Sequence, residues 1–350
     1  MSLRDKLAAQ IAQTGPLTVA QYMAACLHDP QYGYYATRPA LGEAGDFLTA
    51  PLVSQMFGEL IGVWAASAWT LMGEPGRLTL VEMGPGDGTL MDDLLRAGRA
   101  LPGFLEAADV WLVETSGPLR ARQAEKLGGR VRWAASLDEV PGGEPTLAVA
   151  NELLDCLPAR QFVRTAVGWA EQVVGLDGAG ALAFGRVPTG EPLPDAREGA
   201  VAEVSGPQAA LGAALGARLA RDGGAALLID YGRDEPGFGD TLQALQRHAK
   251  VDPLDCPGEA DLTVWADFPA VMAAAGREGA AAALLTQAAF LARMGVGERA
   301  EALVRARPDK APAIGRQLHR LVGGDQMGDL FKVCCLHSPD WVPPAFEDIA

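Results

Sequence analysis

The segment Val81-Glu82-Met83-Gly84-Pro85-Gly86-Asp87-Gly88-Thr89 constrains this chain more than any other. It closes a short apolar run, Leu78–Met83, that reads as a buried strand, and it opens a stretch with helical spacing, Thr89–Ala100. Glycines at such a strand-to-helix turn let the backbone bend tightly and approach a ligand closely. A dinucleotide-binding fingerprint would read G-x-G-x-x-G, but here the third glycine, Gly88, comes one position early and Thr89 stands in its place.

The G-x-G-x-G form, with the acidic Glu82 two residues before the first glycine, is typical of S-adenosylmethionine-dependent methyltransferases. It predicts cofactor contacts from Glu82, Gly84, Gly86, Gly88 and Thr89. The second strand ends at Glu114, whose carboxylate can accept two hydrogen bonds from a ribose diol. The third strand ends near Trp133, which puts the following turn, with Ser136 and Leu137, beside an adenine. Asn151, just after the fourth strand, is read as holding the loop or touching the cofactor's amino end. The glycine-spaced Gly45-Asp46-Phe47-Leu48-Thr49 is read as folding over the methionine part, bonded through Asp46 or Thr49.

The remaining periodicity predicts an α/β fold. Apolar runs at Val110–Val113, Val131–Trp133, Thr146–Ala150 and Ala225–Asp230 alternate with helical patterns at Leu119–Leu127 and Ala209–Ala220. Such alternation means a parallel sheet with crossover helices. Gln161–Val163, Ala170–Leu176 and Ala181–Val187 break the rhythm and read as antiparallel strands, followed by a mobile loop at Pro188–Gly199. Upstream, Thr18 and Gln21 form a capping box for a helix through about His28, and Ser54 caps a helix from Gln55 to about Met72. In the last third, Leu262–Ala275 runs into a helix. Ala280–Leu285 and Leu330–Leu336 read as strands, and Gln287–Arg293, Glu298–Arg305 and Ala313–Leu321 as helices. The expected division is an N-terminal helical cap and loop over 1–75 and a sheet domain over 76–350, with insertions at about 160–200 and 286–325.

Composition narrows the function classes. Asp+Glu 44 against Lys+Arg 29 gives a net charge of −15, a poor match for a phosphate backbone, so no nucleic-acid partner is expected. No run of about 18 apolar residues lacks a polar interruption, so no membrane span is expected. The 5 cysteines are Cys26, Cys156, Cys256, Cys334 and Cys335; they include no C-x-x-C pair, and reduced buried thiols are expected rather than disulfides or zinc. Residues Met1–Thr14 lack a secretory apolar core, which favours a cytoplasmic, bacterial protein.

The chain resembles the family of the mitochondrial complex I assembly factor methyltransferases and their bacterial relatives, the MidA group. The resemblance rests on Tyr22-Met23, Asp29-Pro30, Tyr32-Gly33-Tyr34-Tyr35, Gly45-Asp46-Phe47 and Ser54-Gln55-Met56-Phe57-Gly58-Glu59. It continues through Asn151-Glu152, Asp155, Leu157-Pro158, Arg160-Gln161-Phe162, Asp230-Tyr231-Gly232, Gly258–Thr263, Thr286-Gln287, Met327-Gly328 and Phe331-Lys332-Val333. Two positions depart from the family pattern: Asp87, where an arginine is usual, and Leu52, where a glutamate is frequent. The resemblance implies a class I methyltransferase fold, Rossmann-like with seven strands, an N-terminal helical cap and inserted β and helical segments. For the mitochondrial members it implies symmetric dimethylation of an arginine in the hydrogenase-like core subunit of respiratory complex I, in support of assembly.

Methyl transfer from a sulfonium needs alignment and dry walls, not a metal. An arginine acceptor is always protonated in water, so carboxylates must grip it and steer its charge away from the attacking nitrogen. The catalytic candidates are Glu152 and Asp155, which would share a face if a helical turn follows the fourth strand. Candidate substrate contacts are Gln55 and Glu59, one helical turn apart, Tyr32, Tyr34 and Tyr35 as an aromatic channel or a packed cap, and Asp230 with Tyr231 at a strand end. None of the 4 histidines is assigned to catalysis. A non-catalytic assembly chaperone and a small-molecule methyltransferase remain alternatives, and the oligomeric state is left open.

Overall fold

The computed structural model describes residues 2–37 and 49–347. Seven strands form the central sheet: β1 (Leu78–Met83), β2 (Ala108–Val113), β3 (Arg132–Ala134), β4 (Thr146–Asn151), β5 (Gly224–Arg233), β6 (Ala281–Thr286) and β7 (Phe331–His337). Their spatial order is β3-β2-β1-β4-β5-β7-β6. The first five run parallel, with Leu80 opposite Val110 and Leu147, and Leu227 opposite Val149. Strand β7 is inserted antiparallel, with Leu227 opposite Cys335 on one side and Ala283 opposite Cys335 on the other. A short strand, Ala266–Asp267, pairs with the end of β5. This is the class I methyltransferase topology.

Every residue of β1 is buried, because helices cover both faces of the sheet. Gln55–Leu71 and Thr89–Gly98 pack on one face around Phe57, Trp64 and Leu94. Gly206–Asp222 and Phe268–Arg277 pack on the other around Leu215, Phe268 and Val271. A third apolar cluster lies under the N-terminal helices, Leu3–Thr14 and Val19–His28, and includes Leu7, Tyr22 and Tyr34. Thr18 caps the second of these helices as expected: its Oγ1 accepts from Gln21 N at 3.1 Å while Gln21 Oε1 accepts from Thr18 N at 2.9 Å.

The antiparallel excursion is a separate sheet of Arg160–Thr165, Gly168–Leu176, Leu182–Pro188 and Val201–Val204. The chain's own Leu17–Thr18 adds an edge strand to it, Leu17 opposite Val174. This long-range pairing stitches the cap to the insertion, and a two-residue strand leaves no periodicity to read. A small three-stranded sheet, Gln243–Gln246, Ala249–Val251 and Asp261–Thr263, was likewise not expected. Leu262–Ala275 is therefore not one run: it crosses two short strands before Asp267 caps the helix. The segment Pro188–Gly199, read as mobile, is tied down by Arg160 to Glu191 at 3.1 Å, Arg164 to Asp195 at 3.0 Å and Trp169 Nε1 to the Pro194 carbonyl at 3.1 Å. Cys334 and Cys335 are buried within β7.

Candidate functional site

The carboxyl ends of β1 to β4 surround a cavity of about 420 Å³. Ligands of open α/β sheets bind at this edge, where the strand order reverses between β1 and β4. The glycine loop forms its floor. Gly84, Gly86 and Gly88 have φ of 65°, 54° and 82°, the left-handed region that disfavours a side chain. A Cβ on Gly84 would also stand 3.0 Å from Leu153 Cδ1. Gly84, Gly86 and Asp87 border the cavity; Gly88 and Thr89 do not. Gly88 is instead the N-cap of helix Thr89–Gly98, and a Cβ there would lie 3.1 Å from Leu127 Cδ1. Thr89 contributes its N–H to Asp87 Oδ1 at 3.0 Å. Asp87 also accepts from Lys126 Nζ at 2.8 Å. Burial works against its charge, but the Lys126 and Thr89 bonds outweigh that and hold the carboxyl below its ordinary range. The departure from the usual arginine is thus matched locally by a lysine.

Two buried acceptors on this wall lack a partner among the described residues: Glu82 Oε2 and Asn151 Oδ1. Both residues border the cavity. Burial, reinforced by Asp87, pushes the Glu82 carboxyl well above its usual value. Such atoms call for a donor-rich ligand group, since an unpaired buried polar atom costs about 1–3 kcal/mol. Glu114, at the end of β2, lines the next part of the cavity, with one oxygen accepting from Ser116 N at 2.7 Å. Burial raises its pKa. Leu137 lines the cavity along with Leu157 and Leu211, whereas Ser136 precedes a short turn and does not line it.

Past β4 the backbone turns without forming a helix. Glu152 sits at φ 52°, a conformation costing a non-glycine residue roughly 1–2 kcal/mol. The turn aims its carboxylate into the cavity, where Oε1 accepts from Ala50 N at 3.2 Å and Asn151 Nδ2 at 2.9 Å. Burial first, and the nearby Asp155 charge second, raise its pKa to about 7. Asp155 does not share a face with it. Its Oδ2 accepts from the Tyr231 hydroxyl at 2.7 Å, away from the cavity, and burial raises its pKa. Asp230 is fully buried beneath the turn: Oδ2 accepts from Leu154 N at 2.9 Å and Asp155 N at 3.1 Å, and Oδ1 from Tyr231 N at 2.8 Å. Asp155, Asp230 and Tyr231 therefore hold the loop that carries Glu152, and none of them lines the cavity.

The remaining candidates divide. Thr49 lines the cavity, together with Pro51 and Leu52; Asp46 lies outside the described residues. Gln55 and Glu59 do not face the cavity. Glu59 accepts from Arg96 at 2.9 Å and from Arg299 at 2.7 Å and 3.0 Å, joining three helices. Tyr34 is buried in the cap core and Tyr32 packs against it, so neither borders the cavity. Tyr35 does, and its hydroxyl donates to Asp261 at 3.1 Å. His28, not assigned from the sequence, stacks on Tyr35 at 5.8 Å and also lines the cavity. The cluster of tyrosines beside it was the available signal. Pro207 and Leu211 come from a distant helix, and nothing local in the sequence marks them.

Residues 60–286 match the model of a family described as S-adenosyl-L-methionine-dependent methyltransferase. The chain belongs to this family. Among relatives of the methyltransferase, the mitochondrial protein arginine methyltransferase NDUFAF7 of Danio rerio is 35% identical over 368 aligned positions, covering 95% of this chain and 86% of its own. NDUFAF7 of Homo sapiens is 35% identical over 365 positions, covering 93% and 81%. A crystal structure of a Burkholderia thailandensis protein bound to S-adenosylhomocysteine superposes with a TM-score of 0.88 at 30% identity, covering 99% of this chain and 94% of that one. The methyltransferase therefore uses S-adenosyl-L-methionine, and the partnerless Glu82 and Asn151 oxygens, the glycine floor and Glu114 suit its ammonium, backbone and ribose.

Proposed function

We propose that this enzyme methylates an arginine side chain of a protein partner, the hydrogenase-like core subunit of respiratory complex I, inside a bacterial cell and in support of complex I assembly. The observation that carries the reading is the Glu152 carboxylate, held on a strained turn and aimed into the cofactor cavity. The names of the mitochondrial relatives support the arginine acceptor.

In this reading Glu82, Asn151 and Thr49 hold the amino-acid end of the cofactor, the backbone at Gly84 and Gly86 lies along it, Glu114 accepts from the ribose, and Leu137 lies against the adenine. The bound cofactor supplies an electrophilic methyl on a sulfonium. The guanidinium nitrogen forms the new bond to carbon while the carbon–sulfur electron pair stays on sulfur. Glu152 grips the guanidinium, keeps its positive charge off the attacking nitrogen and accepts the proton that the methylated nitrogen releases. A pKa of about 7 suits that last step, since an acceptor near ambient pH works both as anion and as base. Tyr35, which borders the same cavity, supplies its aromatic ring to the cation.

The test is to incubate the enzyme with the purified subunit and S-adenosyl-L-methionine, then map methylation by mass spectrometry. Methylated arginine with the wild type and none with Glu152→Ala is the expected result. Unmodified subunit with both, together with restored assembly in cells by Glu152→Ala, would replace this reading with a chaperone role.

A further inference from the structure

Gln123 is completely buried on helix Gly117–Leu127, yet its amide makes three bonds, two of them to residues that border the cavity. Its Oε1 accepts from the Trp133 indole N–H on β3 at 2.8 Å. Its Nε2 donates to the Gly86 carbonyl at 2.7 Å and toward Glu114 Oε2 at 3.4 Å. An indole N–H can only donate, so Trp133 fixes which end of the amide is oxygen. Both amide hydrogens then point at acceptors, one on the glycine loop and one on the β2 carboxylate. A flipped amide would set two acceptors against its oxygen and two N–H groups against each other.

We propose that Gln123 is a positioning residue that locks the Glu114 carboxylate and the Gly86 backbone into the geometry that recognises the cofactor's ribose diol. With Ser116 N holding the other Glu114 oxygen, the carboxylate cannot rotate, and its remaining lone pairs stay aimed at the cavity. The arrangement also accounts for the early third glycine. Gly88 does not border the cavity, but a Cβ there would stand 3.1 Å from Leu127 Cδ1 and 3.5 Å from Gln123 Cγ. A side chain at 88 would push away the helix that brings Gln123 to the loop. Arg120 on the same helix reinforces the lock, donating to the Glu114 carbonyl at 2.6 Å and the Ala134 carbonyl at 2.9 Å. The inference rests on the reading of Glu114 as the ribose acceptor.

The test is calorimetric titration of the full chain with S-adenosylhomocysteine and with its 2′,3′-dideoxy analogue. The readout is the ratio of the two dissociation constants, which a general loss of packing leaves unchanged. The wild type should favour the diol, and Glu114→Ala should abolish most of that preference. Gln123→Met keeps the side chain's shape, removes both donors and should cut the preference about tenfold, with no further loss in the double variant. Trp133→Phe, which removes the N–H that orients the amide and leaves Gln123 itself in place, should give a smaller loss in the same direction and decides the matter if Gln123→Met does not fold. A wild-type ratio in a folded Gln123→Met, or in Trp133→Phe, overturns the positioning role. A wild-type ratio in Glu114→Ala overturns the ribose reading beneath it, which is a separate and recognisable failure.

Discussion

The Tyr231 hydroxyl donates to Asp155 Oδ2 at 2.7 Å. That bond turns Asp155 toward the interior and leaves Glu152 as the carboxylate of this turn that borders the cavity. The two acids then have different expected losses. Glu152→Gln should reduce methyl transfer at least about a hundredfold while changing cofactor affinity less than about threefold. Tyr231→Phe should lower folding stability by about 1–3 kcal/mol, because it leaves a buried carboxylate oxygen unpaired. Steady-state kinetics and denaturant titration separate the two effects; a Glu152→Gln variant with wild-type turnover would remove Glu152 from the chemistry.

The raised pKa of Glu152 predicts a pH signature. Gripping the guanidinium requires the anion, so single-turnover rates should rise with pH to about 7 and level off above it. Stability should move the other way. A carboxyl whose folded value is raised from 4.5 to about 7 favours the folded state at low pH, and that contribution is lost as pH climbs through this window. Melting curves of wild type and Glu152→Gln between pH 4.5 and 7 should therefore converge at the acid end, with the wild type losing ground toward pH 7.

Glu59 links Gln55–Leu71, Thr89–Gly98 through Arg96, and Val296–Ala306 through Arg299. Glu59→Ala leaves two partly exposed guanidinium groups without their shared acceptor. The expected cost is about 1–2 kcal/mol, discounted for the solvent that reaches both arginines. Urea titration checks the stability, and affinity for S-adenosylhomocysteine should stay within about twofold of wild type. A tenfold or greater loss of affinity with unchanged stability would return Glu59 to the binding site.

Gly84→Ala combines a φ of 65° with a Cβ placed 3.0 Å from Leu153 Cδ1. Leu153 is a cavity wall, so the relief movement narrows the site itself. Affinity for S-adenosylhomocysteine should fall about tenfold or more, and stability by about 1–2 kcal/mol. Calorimetric titration reads the first and thermal melts the second; unchanged affinity would mean the loop floor does not touch the ligand.

Much of the central sheet is legible in the sequence. Leu78–Met83 and Thr146–Asn151 are short, mostly apolar runs because strands covered on both faces are largely apolar, and their polar members Glu82 and Asn151 sit where the strands meet the cavity. The glycine loop is legible for a similar reason: left-handed backbone at Gly84 and Gly86 tolerates few other residues. The edge strand Leu17–Thr18 and the short strands around Asp261–Thr263 are not legible, since their partners lie far away in the chain and two or three residues carry no period.

The α/β class, the strand-to-helix loop and the residue types that suit the cofactor follow from the order of residues alone, because they rest on local backbone preference and on burial along single elements. Which polar groups face the cavity depends on how distant segments pack. Glu152 and Asp155 are three positions apart, and a helix would have aligned them; the observed turn separates them because Asp230, from another strand, bonds the backbone between them. Gln55 and Glu59 lie on a helix face that the sequence leaves free for substrate, but Arg299, 240 positions away, closes on it. Gln123 carries no motif, and its part in the site exists only where a helix, a loop and two strands meet. Long-range hydrogen bonds of this kind depend on packing, and no local pattern encodes them.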